Sequence, residues 1–451
     1  MNPELRRNIQ VELTSQRLVL PVVIAGLLYW TLNASLSLAS AQNRAAHLFL
    51  WTFAGMTIFW GGRLANDAVP EEIREHTWDN QRMSSIGAWS LTWGKLLGST
   101  IYSWYCALIC LAFYLFGYEQ PESLDRVIET VLVILFSAIF AQSVCFISGL
   151  EGGKLPIRRT RGIFGMLALL AISSGGPALA RSGALLNGTL QWYEMEYDRM
   201  GFLVVSTAIF AVWGVLGAYR TMKLELLYRP APYAWLGFLV FLCIFYNGFA
   251  WVAYEQLDRL AVNVSEATHY QLAVFLSFCI VLGSAWLMLL AERKDLVQLR
   301  KATRLLCVPG ERSKVIRLLP KWFVSLALAA VLLGVSIALA ASNGRLEGDN
   351  KYNANIFAAA ALLFCVRDAM IVLLCHLSRR FRARANTAAI VYFSCLYVLL
   401  PWFSSAAHQW SMLKVFLPID VTGLSGLFWP AIEAAAVSLL VAQRWSRVES
   451  A

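Results

Sequence analysis

Charge is scarce in this chain, and histidine is scarcer still. Asp, Glu, Lys and Arg together make up 15% of 451 residues, and there are five His. The nine cysteines show no CxxC pair and no Cys/His ligand spacing, which argues against a disulfide framework and against a metal site. All of them except Cys307 fall in apolar runs, where Cys serves as a small hydrophobe. No GxxxxGK[ST] occurs, so the chain does not cradle ATP phosphates in the P-loop manner, and HExxH and GxSxG are missing too. Stretches outside the apolar runs reach only about thirty residues, too short for an independent catalytic domain. Together these absences point away from an enzyme.

What is present is hydrocarbon. Hydrophobic residues make up 58% of the chain and its mean hydropathy is +0.58. A water-soluble domain of that composition could not cover its surface with polar groups. Runs long enough to cross ~30 Å of hydrocarbon as a helix lie at Leu18–Leu36, Ala46–Gly62, Leu96–Gly117, Val127–Leu150, Ile163–Ala180 and Gly201–Ala218. They resume at Trp235–Tyr254, Leu272–Ala291, Trp322–Ala341, Ala354–Leu377, Thr387–Ser404 and Gly423–Ala442. The expectation is an all-α polytopic membrane protein of about twelve transmembrane helices. Most of the 38 basic residues gather in alternate loops and at both ends. The positive-inside rule then puts both termini in the cytoplasm. The net charge of +10 is that of a cytoplasmic rim facing anionic membrane lipids, and needs no nucleic acid to explain it.

The order of the runs suggests two six-helix halves, residues 1–218 and 219–451. Each half opens with an amphipathic segment and has a long loop after its second span, at 63–95 and 292–321. Six spans per half keep the same topology, as in parallel repeats about an axis normal to the membrane. The two loops differ in charge. The first holds NDAVPEEIREHTWDNQRMSS, in which Pro70 suits a first helical turn and Glu71, Glu72 and Glu75 suit its positive end. Trp78 stands out on a segment otherwise polar all round, as an anchor that another protein could grip, with the charges as a rim. The alternative is a solvated interfacial helix linking two spans.

The opening MNPELRRN and the stretch REHTWDNQRMSSIGAWSLTWGKLLGS resemble the permease subunits of type-2 ATP-binding cassette (ABC) exporters. That resemblance implies a coupling helix from Glu71 to Arg82 docking into a separate ATPase subunit, with contacts from Glu71, Glu72, Arg74, Glu75, Trp78, Asp79 and Arg82. It implies ATP and Mg on that partner, present in two copies, no cofactor on this chain, and residence in a bacterial inner membrane. The Gly-Lys that opens the family's third span would be Gly94–Lys95. The likeness covers Met1 to Gly117 in sequence and the remainder only in span order. Two features depart from the family pattern: the doubled span number, and a second loop that is basic and lacks an acidic Trp-bearing helix.

Four ionisable residues sit in or near apolar runs: Glu129, Arg367, Asp368 and Glu433. Charges in lipid are costly and face a bundle interior or a water-filled cavity. Arg367, Asp368 and Glu433 are therefore candidates for a translocation route, set against a structural interhelical pair. Neighbouring residues on a helix point apart, so Arg367 and Asp368 are expected to seek partners on other helices. The helix breakers and aromatics of Ser173–Tyr197 suggest an extracytoplasmic gate, or a loop anchored by Trp192 and Tyr193. An ion-coupled secondary transporter is the competing function, and an intramembrane enzyme the third.

Overall fold

The structure is a computed structural model that describes residues 3–35, 39–84, 86–117, 124–152, 188–228, 231–260, 266–292, 294–306, 308, 312–342, 354–378, 385–406 and 424–449. It divides into two compact units, one of Met1–Leu190 with Glu196–Pro230 and one of Gln191–Met195 with Ala231–Ala451. The division expected at residue 218 would cut a continuous helix that runs to Glu225, and the observed boundary comes after that helix.

The first unit runs α1 (Pro3–Glu12), α2 (Ser15–Ser35), α3 (Ala39–Gly55), a π-helical turn (Met56–Trp60), α4 (Gly61–Arg74), α5 (Trp78–Arg82), α6 (Ala88–Gly117) and α7 (Leu124–Gly152). A hairpin of β1 (Thr189–Trp192) and β2 (Met195–Asp198) follows, and then α8 (Arg199–Glu225). Small residues set the packing, as expected where lipid supplies no driving force between helices. A Cβ on Gly149 of α7 would lie 2.1 Å from the backbone oxygen of Asn66, so α4 crosses α7 in near backbone contact. Gly214 of α8 leaves room for the Phe140 and Ser143 side chains of α7, which would lie 3.0 and 3.2 Å from a Cβ there. Gly98 of α6 receives the Asn8 side chain, which seats the amphipathic α1 on that helix. At the π-turn the Thr57 carbonyl accepts a hydrogen bond from Gln142 Nε2 (2.8 Å), and Gln142 Oε1 accepts from the Trp104 indole (3.2 Å). A side chain thus satisfies a backbone group in this irregular helical turn.

The second unit runs α9 (Tyr233–Leu260), α10 (Glu266–Ala291), α11 (Leu296–Leu306), α12 (Arg312–Val315), α13 (Lys321–Ser342), α14 (Ala354–Leu377) and α15 (Ala385–Ser394). A second π-turn (Cys395–Leu399), α16 (Leu400–Ala406), a 3-10 turn (Leu424–Leu427) and α17 (Phe428–Glu449) complete it. Its core packs Phe278 and Val281 of α10 against Ala329 and Leu333 of α13 and Ala358 of α14. A buried Ser336–Asn355 hydrogen bond (2.7 Å) ties α13 to α14. The hairpin turn also belongs here. The Trp192 indole donates to the Phe245 carbonyl (3.1 Å), the Tyr193 hydroxyl to that of Ile244 (2.8 Å), and the Tyr193 amide to that of Gly248 (2.8 Å).

Among the described residues, eight helices are long and apolar enough to cross a membrane: α2, α6, α7, α8, α9, α10, α13 and α14. Several leave large apolar side chains exposed, among them Trp30, Leu108, Val205 and Val331. The chain is accordingly a predominantly helical, multi-pass membrane protein. The eight helices do not amount to the twelve spans expected. The second apolar run is broken by the first π-turn, leaving α3 and α4 short, and the eleventh is the shorter apolar segment Thr387–Phe403 around the second π-turn. The twelfth falls on α17, which Glu433, Gln443 and Arg444 make too polar to qualify. The fifth run, Ile163–Ala180, lies outside the described residues, as does the gate segment up to residue 187.

Candidate functional site

The polar loop of the first unit folds as an elbow. Pro70 does not open a helix there: α4 starts at Gly61 and runs through it, ending at Arg74. His76, at φ 58°, turns the chain in the left-handed region, and α5 begins at Trp78. Glu71, Arg74, Glu75 and Asp79 are exposed, while Arg82 is half-buried and pairs with Asp79 at 3.7 Å.

Trp78 is not on that rim. It is 3% exposed and belongs to one buried cluster with Val69, Leu91, Leu96, Phe146, Leu150 and Met222, through which the elbow joins the core of α6, α7 and α8. A segment polar all round predicts an outward Trp. The apolar neighbours that draw it inward are remote in sequence. Met83, 79% exposed, is the large apolar side chain that the elbow presents outward. Beneath the elbow, Lys95 is ion-paired with Glu72, with its ammonium 5.2 Å from the centre of the Trp78 ring. Gln81 donates to the other Glu72 oxygen at 2.9 Å. Glu72 therefore faces inward as well, leaving a mainly acidic exposed rim.

The second cluster lies in the second unit. Arg367 and Asp368 are 2% and 1% exposed. Both find partners on other helices, as adjacent positions suggest, and they also grip each other: Arg367 Nε and Nη2 both donate to Asp368 Oδ1 at 3.1 Å. The long guanidinium arm overcomes the angular separation of adjacent helix positions. Arg367 Nη1 donates to Glu433 Oε2 at 2.6 Å, which joins α17 to α14. Nη2 also donates to the Tyr397 hydroxyl (2.8 Å), which donates in turn to Asp368 Oδ2 (2.5 Å). The Trp286 indole reaches the same carboxylate oxygen at 3.3 Å. The Phe364 ring lies 4.5 Å from the guanidinium carbon. The three route candidates thus come together, with Tyr397 and Trp286 as partners that no pattern pointed to. Tyr397 is delivered by the second π-turn, whose register is not legible in a run of apolar residues. Glu433, with a side chain 27% exposed, is the open edge of the cluster.

Glu129 belongs to neither site. It pairs with Arg126 at 3.4 Å near the start of α7. Arg126 also holds Asp198, at 3.0 and 3.3 Å. Asp198 is the N-cap of α8, accepting from the Gly201 amide at 3.0 Å. That amide, with Arg126 beside it, holds the Asp198 carboxyl below the usual carboxylate range. Among the described residues no group of three or more His, Cys, Asp or Glu is placed to hold a metal ion. No protein-family model, no curated protein and no solved structure matches the chain.

Proposed function

We propose that this chain is the membrane-spanning permease subunit of an ATP-driven exporter, engaging a separate cytoplasmic ATPase through the elbow of α4 and α5. One observation supports the reading above others: the elbow is a stiff graft on the spans. Trp78 is buried against three long helices, and the Glu72–Lys95 pair ties it to the first turns of α6. A force applied to its charged outer face would pass into the bundle without being lost in a loose loop. ATP and Mg would act on the partner, and this chain would supply the route and the lever. Both termini would be cytoplasmic and the membrane a bacterial inner membrane. The two units would correspond to two fused exporter halves.

The test is to purify the full chain from native membranes and identify what accompanies it. An ATPase should co-purify with the wild type and be lost from the Glu71→Lys/Glu75→Lys/Asp79→Lys variant, whose membrane yield should be unchanged. An ATPase absent from the wild type, or retained by the triple variant, removes the coupling role.

A second reading has its own support. The Arg367–Asp368–Glu433 cluster places two carboxylates and one guanidinium inside a bundle, as ion-coupled transporters do along their routes. Uptake or efflux in liposomes that follows an imposed proton gradient without ATPase would favour this alternative.

A further inference from the structure

We propose that the basic loop of the second unit, α11 and α12, is a binding surface for anionic phospholipid headgroups. The inference rests on the chain being membrane-embedded and not on any ATPase partner, so it can fail independently of the exporter reading.

α11 has a clear inner face. Ala302 packs with Val315 and Leu318 beyond it, and Gln298 Nε2 donates to the Leu318 carbonyl at 3.1 Å. Asp295 starts the helix by accepting from the Val297 and Gln298 amides at 2.9 and 3.2 Å. Its outer face mixes two chemistries. Val297, Lys301 and Arg304, spaced i, i+4 and i+7, form one exposed stripe. Val297 on that stripe is 73% exposed, and Leu306, on the opposite side at the helix end, is 52% exposed. In the turn after α12, Ile316 and Arg317 are both exposed.

A helix face turned to water has no use for large aliphatics, and one turned to hydrocarbon has none for cations. The boundary between headgroups and acyl chains accommodates both, with the aliphatics dipping inward and Lys and Arg meeting lipid phosphates. Connectivity holds the loop at that boundary. Only residues 292–295 separate the end of α10 at Ala291 from α11, and α13 begins at Lys321. Glu292 closes the loop at its base. Its carboxylate accepts from the Lys321 and Trp322 amides at 3.1 and 3.3 Å, satisfying the first amides of α13. Lys294 donates to the Leu289 and Glu292 carbonyls, both at 2.5 Å, and covers the exposed end of α10. With both ends pinned to membrane-crossing helices, α11 and α12 stay close to the membrane surface.

The test uses the full chain in nanodiscs of phosphatidylcholine alone or mixed with phosphatidylglycerol, with a benzophenone-bearing phenylalanine in place of Leu306. Illumination should yield lipid adducts several-fold more abundant in the anionic discs. The Lys301→Glu/Arg304→Glu/Arg317→Glu variant should fall to the neutral-disc level. Raising the salt concentration should lower the wild-type adduct yield in anionic discs, since exposed charges are screened within about 10 Å at ordinary ionic strength. That salt titration needs no variant to fold. Adduct yields indifferent to lipid charge and to salt would overturn the proposal. So would crosslinking of position 306 to a protein and not to lipid in native membranes.

Discussion

Lys95 and Glu72 lie 23 residues apart and form an ion pair under the Trp78 ring, one partner 2% exposed and the other 13%. The pair joins the end of one helix to the beginning of another across a loop that would otherwise be free to hinge. Its members are unequal. Glu72 can turn toward water at the elbow's surface, whereas Lys95 is enclosed. Glu72→Gln should therefore cost about 3 kcal/mol by stranding a buried ammonium, and Lys95→Met distinctly less. Thermal unfolding of the purified chain in detergent, with the double variant to close the cycle, checks this. Equal costs for the two single variants would mean that burial is not what separates them.

Trp78 and Asp79 should separate stability from partner engagement. Trp78→Ala empties a closely packed site and should destabilise by about 3 to 5 kcal/mol, with Trp78→Phe milder. Asp79→Lys breaks only an exposed 3.7 Å pair with Arg82 and should leave the melting temperature within a degree or two, while weakening any ATPase that grips the rim. A melting temperature unmoved by Trp78→Ala would contradict the buried position.

Glycines test the close crossings. In Gly149→Ala the new methyl would meet the Asn66 carbonyl at 2.1 Å, and backbone cannot swing aside as a side chain can. That variant should lose folded protein in the membrane, with a cost of at least about 2 kcal/mol. Gly283, in the middle of α10, has nothing within 4 Å of the corresponding position. Gly283→Ala should be neutral or stabilise by about 0.5 to 1 kcal/mol. Expression and melting of the two variants side by side make the comparison.

At the buried cluster, Arg367→Gln leaves two carboxylates without their cation, and Asp368→Asn in the same chain removes one of them. Under the proposed transport role, the single change should abolish transport and lower abundance, and the double change should restore abundance to near the wild-type level. Transport measured on the restored protein then distinguishes a route from a brace. Recovery of both abundance and transport would show that the cluster only holds α14, α17 and the second π-turn together.

Much of the membrane architecture was legible because lipid enforces it. A segment that crosses hydrocarbon must be apolar for its whole length, and α6, α7, α10, α13 and α14 coincide closely with the expected runs. Where the chain departs from a regular helix, that signal falls silent. Met56–Trp60 and Cys395–Leu399 are apolar like their neighbours, and their π-helical register depends on side chains such as Gln142 far away in sequence. The charged residues of the candidate sites could be named from their rarity in apolar surroundings, but their partners could not. Arg367 and Asp368 find the partners on other helices that their positions predict but also grip each other, and Trp78 turns inward where a polar segment predicts an outward ring. Local helix geometry fixes where a Cβ points, whereas a long or large side chain goes where tertiary contacts take it.

The hairpin offers a pH test. Asp198 caps α8 through the Gly201 amide and pairs with Arg126, and both hold its carboxyl below the ordinary carboxylate range. A carboxyl whose folded pKa is depressed contributes stability that is complete above its unfolded value and fades as pH falls through the folded one. The start of α8 should therefore begin to loosen as pH falls into the range where free Asp titrates, lose the contribution progressively toward the lower folded value, and be insensitive to pH near neutrality. Hydrogen exchange at the Gly201 amide, corrected for the intrinsic pH dependence of exchange, is the direct measurement. Asp198→Asn keeps a capping oxygen but has no proton to gain, so its protection should stay flat over the same window. If the variant lost protection on acidification just as the wild type does, the pH response would have to originate in a group other than this cap.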